Sequence, residues 1–177
     1  MKIFNFIKNY LASYIRVSFL SLSNNIKCER RVKVYKNATL KTDKDGAIVI
    51  NNNVTFKENA EIYACGGSIE LKGSNFINRN TMIVSAQSIV IGKGTTIGPN
   101  TVIYDHDHDI KQGKGFVSEP VVIGENVWIG AGVTILKGAV IGDGSVIAAG
   151  SIVRGEVPSN VIAFNRKELE FKPIVRQ

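Results

Sequence analysis

From residue 121 onward the chain divides without remainder into six-residue units: VVIGEN, VWIGAG, VTILKG, AVIGDG, SVIAAG and SIVRGE. The third place is always Ile or Val (Ile123, Ile129, Ile135, Ile141, Ile147, Val153), and the first is small or β-branched (Val121, Val127, Val133, Ala139, Ser145, Ser151). In an extended segment, residues two apart point to the same side, so first and third places share an inward face. Gly124, Gly130 and Gly142 follow the large aliphatic, where a turn is expected to need a residue free of Cβ strain. A period of six fits neither a 3.6-residue helix nor a heptad, and glycine at this density weakens a helix by about 1 kcal/mol per occurrence. Each unit is therefore read as a short strand followed by a corner.

The metre recurs upstream at Ile50, Phe56 and Ile62, at Leu71, Ile77, Ile83 and Ile89, and at Ile91, Ile97 and Ile103, with phase slips between runs. Slips of this kind are expected as insertions at corners. The result is one solenoid over residues 32–156, in which stacked coils bury a continuous aliphatic column. Residues 104–120, YDHDHDIKQGKGFVSEP, break the metre and are expected to leave the column as a loop. That loop carries His106 and His108, the only two histidines of the chain. A metal site, a general base and a solvated polar turn are all open readings of DHDHD taken alone.

Length and charge limit the rest. A chain of 177 residues suits one domain. Cys28 and Cys65 form no metal-binding or disulfide spacing, which favours a reducing compartment. Residues 1–44 hold ten Lys or Arg against Glu29 and Asp43, a local excess of +8, and the remainder of the chain sums to −1. So local a charge suits an anionic membrane surface or a charged glycan better than wrapped nucleic acid, with a solvated basic face as the plain alternative. Residues 1–25 place Phe4, Ile7, Leu11, Ile15 and Leu22 at helical spacing, with Lys2, Lys8 and Arg16 on other faces. That pattern predicts an amphipathic helix, packed on the domain or a neighbouring subunit or lying on a membrane, and too interrupted by charge to span one. A cytoplasmic protein is expected, with peripheral contact at the inner membrane face through residues 1–44. Residues 157–177 are read as a capping tail.

The repeats, the segment PVVIGENVWIGAGVTILKGAVIGDGSVIAAGSIV (120–153) and the histidine-bearing loop just ahead of it resemble the hexapeptide-repeat acyltransferases. Within them the chain is most similar to the maltose, galactoside and polysaccharide O-acetyltransferase branch. The resemblance covers residues 50–165. It implies an all-β fold, a left-handed parallel β-helix with three strands per coil, a homotrimer, and acetyl-CoA as acyl donor, with no metal. It further implies a catalytic histidine in the extruded loop a little over twenty residues before Trp128. His106 precedes that Trp by 22 residues and His108 by 20. His106 is accordingly the expected general base, with His108 contacting the acceptor.

Other site residues follow by position. An Asn-Phe-Asn segment in relatives corresponds to Asn78-Arg79-Asn80, which makes Asn78 the acceptor-orienting residue and sets Arg79 beside the acceptor where relatives carry Phe. Trp128 is expected against the pantetheine arm or the acceptor, and the backbone N–H of Ala131 at the thioester oxyanion. Ala149 and Gly150 would line the pantetheine groove, Arg154 or Arg166 would meet the CoA phosphates, and Phe164 would stack on adenine or cap the column. If residues 105–109 are extended, both imidazoles face one side and the three carboxylates the other, so the group that fixes the His106 tautomer is expected elsewhere, on a backbone carbonyl for example. Function is thus expected to be O-acetylation of a saccharide hydroxyl in surface polysaccharide assembly, by direct transfer. N-acetylation of a nucleotide-linked amino sugar is the alternative enzyme, and an inactive β-helix assembly subunit the alternative of another class.

Overall fold

The computed structural model describes Ser13, Arg16, Val17, residues 25–111 and residues 113–165. The chain winds into a three-sided parallel β-solenoid, six complete coils followed by two strands of a seventh. Face A carries seven strands, from Ile26–Cys28 to Glu156–Val157; face B seven, from Lys33–Val34 to Ile162–Ala163; face C six, from Thr39–Thr42 to Ile152–Val153. Every strand pairs in parallel with its counterparts in the coils before and after it, as Ile97 does with Ile77 and Ile129. The strands extend beyond the span 32–156 at both ends, from Ile26–Cys28 to Ile162–Ala163, each paired by backbone with the coil next to it.

The third-place residues form the column. Ile123, Ile129, Ile135, Ile141 and Ile147 are no more than 1% exposed and Val153 5%, and the first-place side chains are buried beside them. Phe56, Leu71, Ile77, Ile97 and Ile103 continue it downward. The sixth place turns each corner: Asn126, Gly132, Gly138, Gly144 and Gly150 all have positive φ. Gly124, Gly130 and Gly142, expected to serve that need, do not have positive φ. They are glycine because a Cβ would strike the backbone of the coil above, 2.7 Å from Asp143 N, 2.6 Å from Ala149 N and 2.4 Å from Ser159 N respectively.

Every irregularity of the metre falls on the corner between faces C and A. Residues 43–46, 65–67 and 86–87 are the extra residues of the first three coils. Residues 105–120 leave the column there, and the last such corner is shortened instead, so that Val157 pairs with Ile141 only 16 positions earlier, against 18 for Ile141 and Ile123. The excursion is an antiparallel hairpin, His106–His108 against Phe116–Ser118, closed at its base by Glu119 N donating to Asp105 O at 2.9 Å.

Most of the expected N-terminal helix, and residues 166–177 of the expected tail, lie outside the described residues. The three described residues of the N-terminal segment meet the first coil. Ser13 Oγ accepts from Val34 N at 2.7 Å, Arg16 Nη1 donates to Val34 O at 3.0 Å, and Val17 packs against the core. Among the described residues no helix is long and apolar enough to cross a membrane.

Truncating the column tests its role. Ile135→Ala should lower the unfolding free energy by about 2–5 kcal/mol in a urea titration, whereas Val122→Ala, outward on face A and 40% exposed, should cost less than about 1 kcal/mol.

Candidate active site

The DHDHD stretch divides at its first residue. Tyr104 still belongs to face C, paired with Val84, and the hairpin begins at His106, which leaves Asp105 alone at the bend between them. Asp105 is fully buried. Its Oδ1 accepts from Ala86 N at 2.8 Å and contacts His106 Nδ1 at 2.9 Å. Its Oδ2 accepts from Ser85 Oγ at 2.7 Å, Gln87 N at 2.9 Å and Ser88 N at 2.7 Å. Burial alone would push this carboxyl up, but the bonds from Ser85, Ala86, His106 and Gln87 outweigh it and hold the carboxyl below its ordinary value.

One expectation is corrected here: the group that fixes the His106 tautomer is the neighbouring carboxylate. Alternation along an extended strand would separate the two side chains, but Asp105 precedes the strand, and the bend turns its carboxylate into the corner of the coil below. An ionised Asp105 makes Nδ1 the protonated nitrogen of a neutral His106, so that Nε2, across the ring, keeps its lone pair. Nε2 has no hydrogen-bond partner among the described residues. An imidazole held in this way can accept a proton at Nε2 while the carboxylate stabilises the resulting cation.

The alternation expected of residues 106–108 does hold. Both imidazoles lie on one side of the hairpin with Phe116, whose ring centroid is 4.6 Å from that of His106 and 5.2 Å from that of His108. Tyr104 meets the His106 ring edge at 5.7 Å. These rings leave the His106 side chain only 12% exposed. On the opposite side Asp107 and Glu119 share Lys137, at 3.8 and 3.3 Å, which ties the hairpin to the coil above. A hollow of about 450 Å³ opens there between His108, Asp109, Lys111 and Lys137.

The remaining expected residues lie on another edge, the corner between faces B and C. Asn78, Arg79, Ala131, Ala149 and Gly150 stack along it, and Gly150 N donates to Ala131 O at 2.8 Å. Trp128 enters that corner from face B, outward and 60% exposed, between Thr96 and Val146. Asn80, not Asn78, is the corner residue with positive φ, and it bridges Asn59 and Asn100 in a side-chain ladder. Asn78 Oδ1 accepts from Arg79 N at 2.8 Å, and its amide NH₂ donates to no described residue. Arg79 Nε donates to Glu58 Oε2 at 3.0 Å, an ion pair with the coil below. Arg154 is exposed on the edge between faces C and A, two coils above Asp105, and Phe164 is 63% exposed beside the last strand. Arg166 lies outside the described residues.

Within one chain, then, His106 and Asn78 occupy opposite ends of face C. Strand Met82–Ser85 lies between the two edges, and four residues of strand span about 10 Å before either corner is counted. The structure brings together Asp105, His106, His108, Tyr104 and Phe116 on one edge, and Asn78, Trp128, Ala131, Ala149 and Gly150 on the other. Asp105 with its Ser85–Ser88 cradle, Tyr104 and Phe116 escape a reading of the sequence; the signal for Asp105 was the metre itself, which places it one step past the fourth face C strand, Val102–Tyr104. Among the described residues no three His, Cys, Asp or Glu side chains gather as a metal shell.

Residues 120–155 match the family of bacterial transferase hexapeptides (six repeats), and the matched span is the run of six units whose column was described above. Residues 120–155 thus carry hexapeptide repeats. No curated protein sequence matches the chain. Among solved structures, the N-acyltransferase AntD from Bacillus cereus, in complex with dTDP and 3-hydroxybutyryl-CoA, resembles this chain with a TM-score of 0.71 at 19% identity, over 85% of this chain and 83% of that one. At such identity the likeness is one of fold. A hexapeptide-repeat acetyltransferase from Vibrio cholerae complexed with acetyl-coenzyme A gives 0.57 at 27% identity over 73% and 67% of the two chains. A maltose O-acetyltransferase from Clostridium difficile gives 0.50 at 26% over 80% and 66%.

The Asp105 cradle makes a pH-dependent contribution to stability. Because the folded carboxyl is held below the ordinary value of 3.8, its contribution is complete above that value and is lost as pH falls through the folded one. Asp105→Asn should cost about 3 kcal/mol at neutral pH, since an amide sets N–H against N–H. The same substitution should flatten the acid limb of unfolding free energy against pH; a limb as steep as wild type would place that proton elsewhere.

Proposed function

We propose that this hexapeptide-repeat protein is an acyl-CoA-dependent acyltransferase that moves an acetyl group from the thioester directly to a saccharide hydroxyl, with His106 as general base. The observation that carries this reading is the Asp105–His106 pair, a buried ionised carboxylate on Nδ1 with Nε2 unpartnered among the described residues. Nε2 takes the hydroxyl proton as the acceptor oxygen attacks the thioester carbonyl, and Asp105 steadies the imidazolium that forms. The tetrahedral intermediate collapses with expulsion of the CoA thiolate, and the imidazolium returns the proton to that sulfur. Burial pushes the thiols of Cys28, on the first coil, and Cys65, at the C–A corner after the second, above their ordinary value, which makes both poor nucleophiles, so transfer proceeds without an acyl-enzyme.

The second edge joins through assembly. A closed ring of identical chains sets one surface of each copy against a different surface of the next. A homotrimer is therefore the arrangement in which the Asn78, Trp128 and Ala131 edge of one copy faces His106 of its neighbour. The outward column on face B of Phe76, Thr96, Trp128, Val146 and Ile162 supplies apolar surface for that contact. Asn78 then directs the acceptor with its free amide, Ala131 N–H meets the oxyanion, and Ala149 and Gly150 flank the pantetheine. Arg79 is committed to Glu58 and serves the acceptor only by giving up that pair. The free cysteines and the acyl-CoA donor fit a cytoplasmic site.

A second reading, N-acylation of a nucleotide-linked amino sugar, draws on the structural likeness to AntD, whose complexes hold dTDP-4-amino-4,6-dideoxyglucose with coenzyme A. The same base serves an amine. Hydroxyl and amino sugars offered with acetyl-CoA, with free thiol and product mass as readouts, separate the two; a product acetylated on nitrogen overturns the hydroxyl reading. His106→Ala should lower transfer by about 10²–10⁴-fold while CoA still raises the melting temperature. Unchanged transfer in His106→Ala, with loss in His108→Ala, would reverse the two histidines. No thermal shift with CoA in the wild-type chain would favour an assembly subunit.

A further inference from the structure

The corner between faces A and B repeats one conformation in every coil. Arg31, Asn53, Ser74, Gly94, Asn126, Gly144 and Asn160 all have φ between 52° and 76°. From Asn53 upward, each N–H donates to a carbonyl in the coil beneath. Six of the seven are Gly, Asn or Ser, the small residues that suit the left-handed region. Arg31, with φ 61°, is the departure, and an unfavoured backbone held against local preference points to a demand on the side chain.

Arg31 is one of a ring. The first coil carries Lys27 on face A, Arg30 and Arg31 at the A–B corner, Lys33 on face B, Lys36 at the B–C corner, Lys41 on face C and Lys44 at the C–A corner, all exposed. Only Lys41 has an ion pair among the described residues, with Glu61 at 3.8 Å. Against these seven cations the coil itself sets only Glu29 and Asp43, and residues 1–28, which lead into it, contain no Asp or Glu. Above the ring the balance reverses, with eleven Asp or Glu against eight Lys or Arg in residues 45–165. The column is thus electrically polar along its axis, with a hollow of about 460 Å³ at the positive end, where Arg30, Arg31 and Lys33 outnumber Glu29 beside Ser13 and Val17.

We propose that the first coil is a docking ring for an anionic lipid surface, and that the column stands on the membrane with this end down. Cations that surround one end of a prism on all three sides present themselves together only to a surface lying across the axis. A nucleic-acid backbone would favour a stripe along one face. The negative shaft, repelled by the same surface, fixes the orientation, and the hairpin with His106 stands clear of the lipid at the fourth coil.

The test uses the full chain and cosedimentation with vesicles of phosphatidylcholine, with and without phosphatidylglycerol. Binding is expected only to the anionic vesicles and should fall with rising salt. Arg31→Asn should weaken it about fivefold while the melting temperature stays level or rises. Replacing Arg30, Arg31 and Lys33 together by Gln, Asn and Gln should weaken it on the order of a hundredfold. Lys93→Gln, exposed at the same corner three coils higher, should leave binding unchanged. Wild-type partition by the triple variant, equal weakening by Lys93→Gln, or tight binding of duplex DNA or inorganic pyrophosphate through these three residues without vesicle partition would each overturn the proposal.

Discussion

Parallel backbone pairing between coils, at the fixed strand spacing of about 4.8 Å, is the constraint on which the rest of this molecule rests. It leaves no freedom in how one coil sits on the next, so whatever profile a coil presents inward must be presented again by its neighbour. The aliphatic column, the Asn59–Asn80–Asn100 ladder and the glycines that lie under backbone atoms are three answers to that demand. Extra residues are admitted only where they can be pushed outward. In this chain that place is the C–A corner, and the other two edges run unbroken from end to end.

The site is built from the same corner device that holds the fold. Asp43 at the first C–A corner accepts backbone N–H bonds from Gly46 and Gly66, drawing two coils together. Asp105 does this at the fourth, capturing Ala86, Gln87 and Ser88 from the coil below, and has one oxygen direction left for His106. The imidazole is thereby anchored to the rigid column although its backbone belongs to a hairpin. Lys137 braces the other side of that hairpin through Asp107 and Glu119. An imidazole so restrained has little orientational freedom left to lose.

Much of this was legible in the residues because a six-place period leaves little ambiguity: the column, the corners and the position of the excursion at 104–120 all follow from where Ile and Val recur. Individual roles were harder. Gly124 and Gly130 look like turn glycines, yet steric pressure from another coil, invisible along one coil, is what excludes a side chain there. Asp105 looks like one of three equivalent loop aspartates, and only the packing of Ser85–Ser88 beneath it distinguishes it from Asp107. The last corner, two residues short, interrupts the metre after Val153 and hides the final face A strand, Glu156–Val157. Opposite edges for His106 and Asn78 could be counted from the period.

Ser13 and Arg16 occupy both backbone groups of Val34, the N–H and the C=O that a strand below the first coil would otherwise use. A parallel solenoid is in effect a short cross-β rod, and an unguarded terminal coil is a template for the addition of further chains. Ser13 and Arg16 thus close Val34 to a further strand, and with it one place at which such growth would begin.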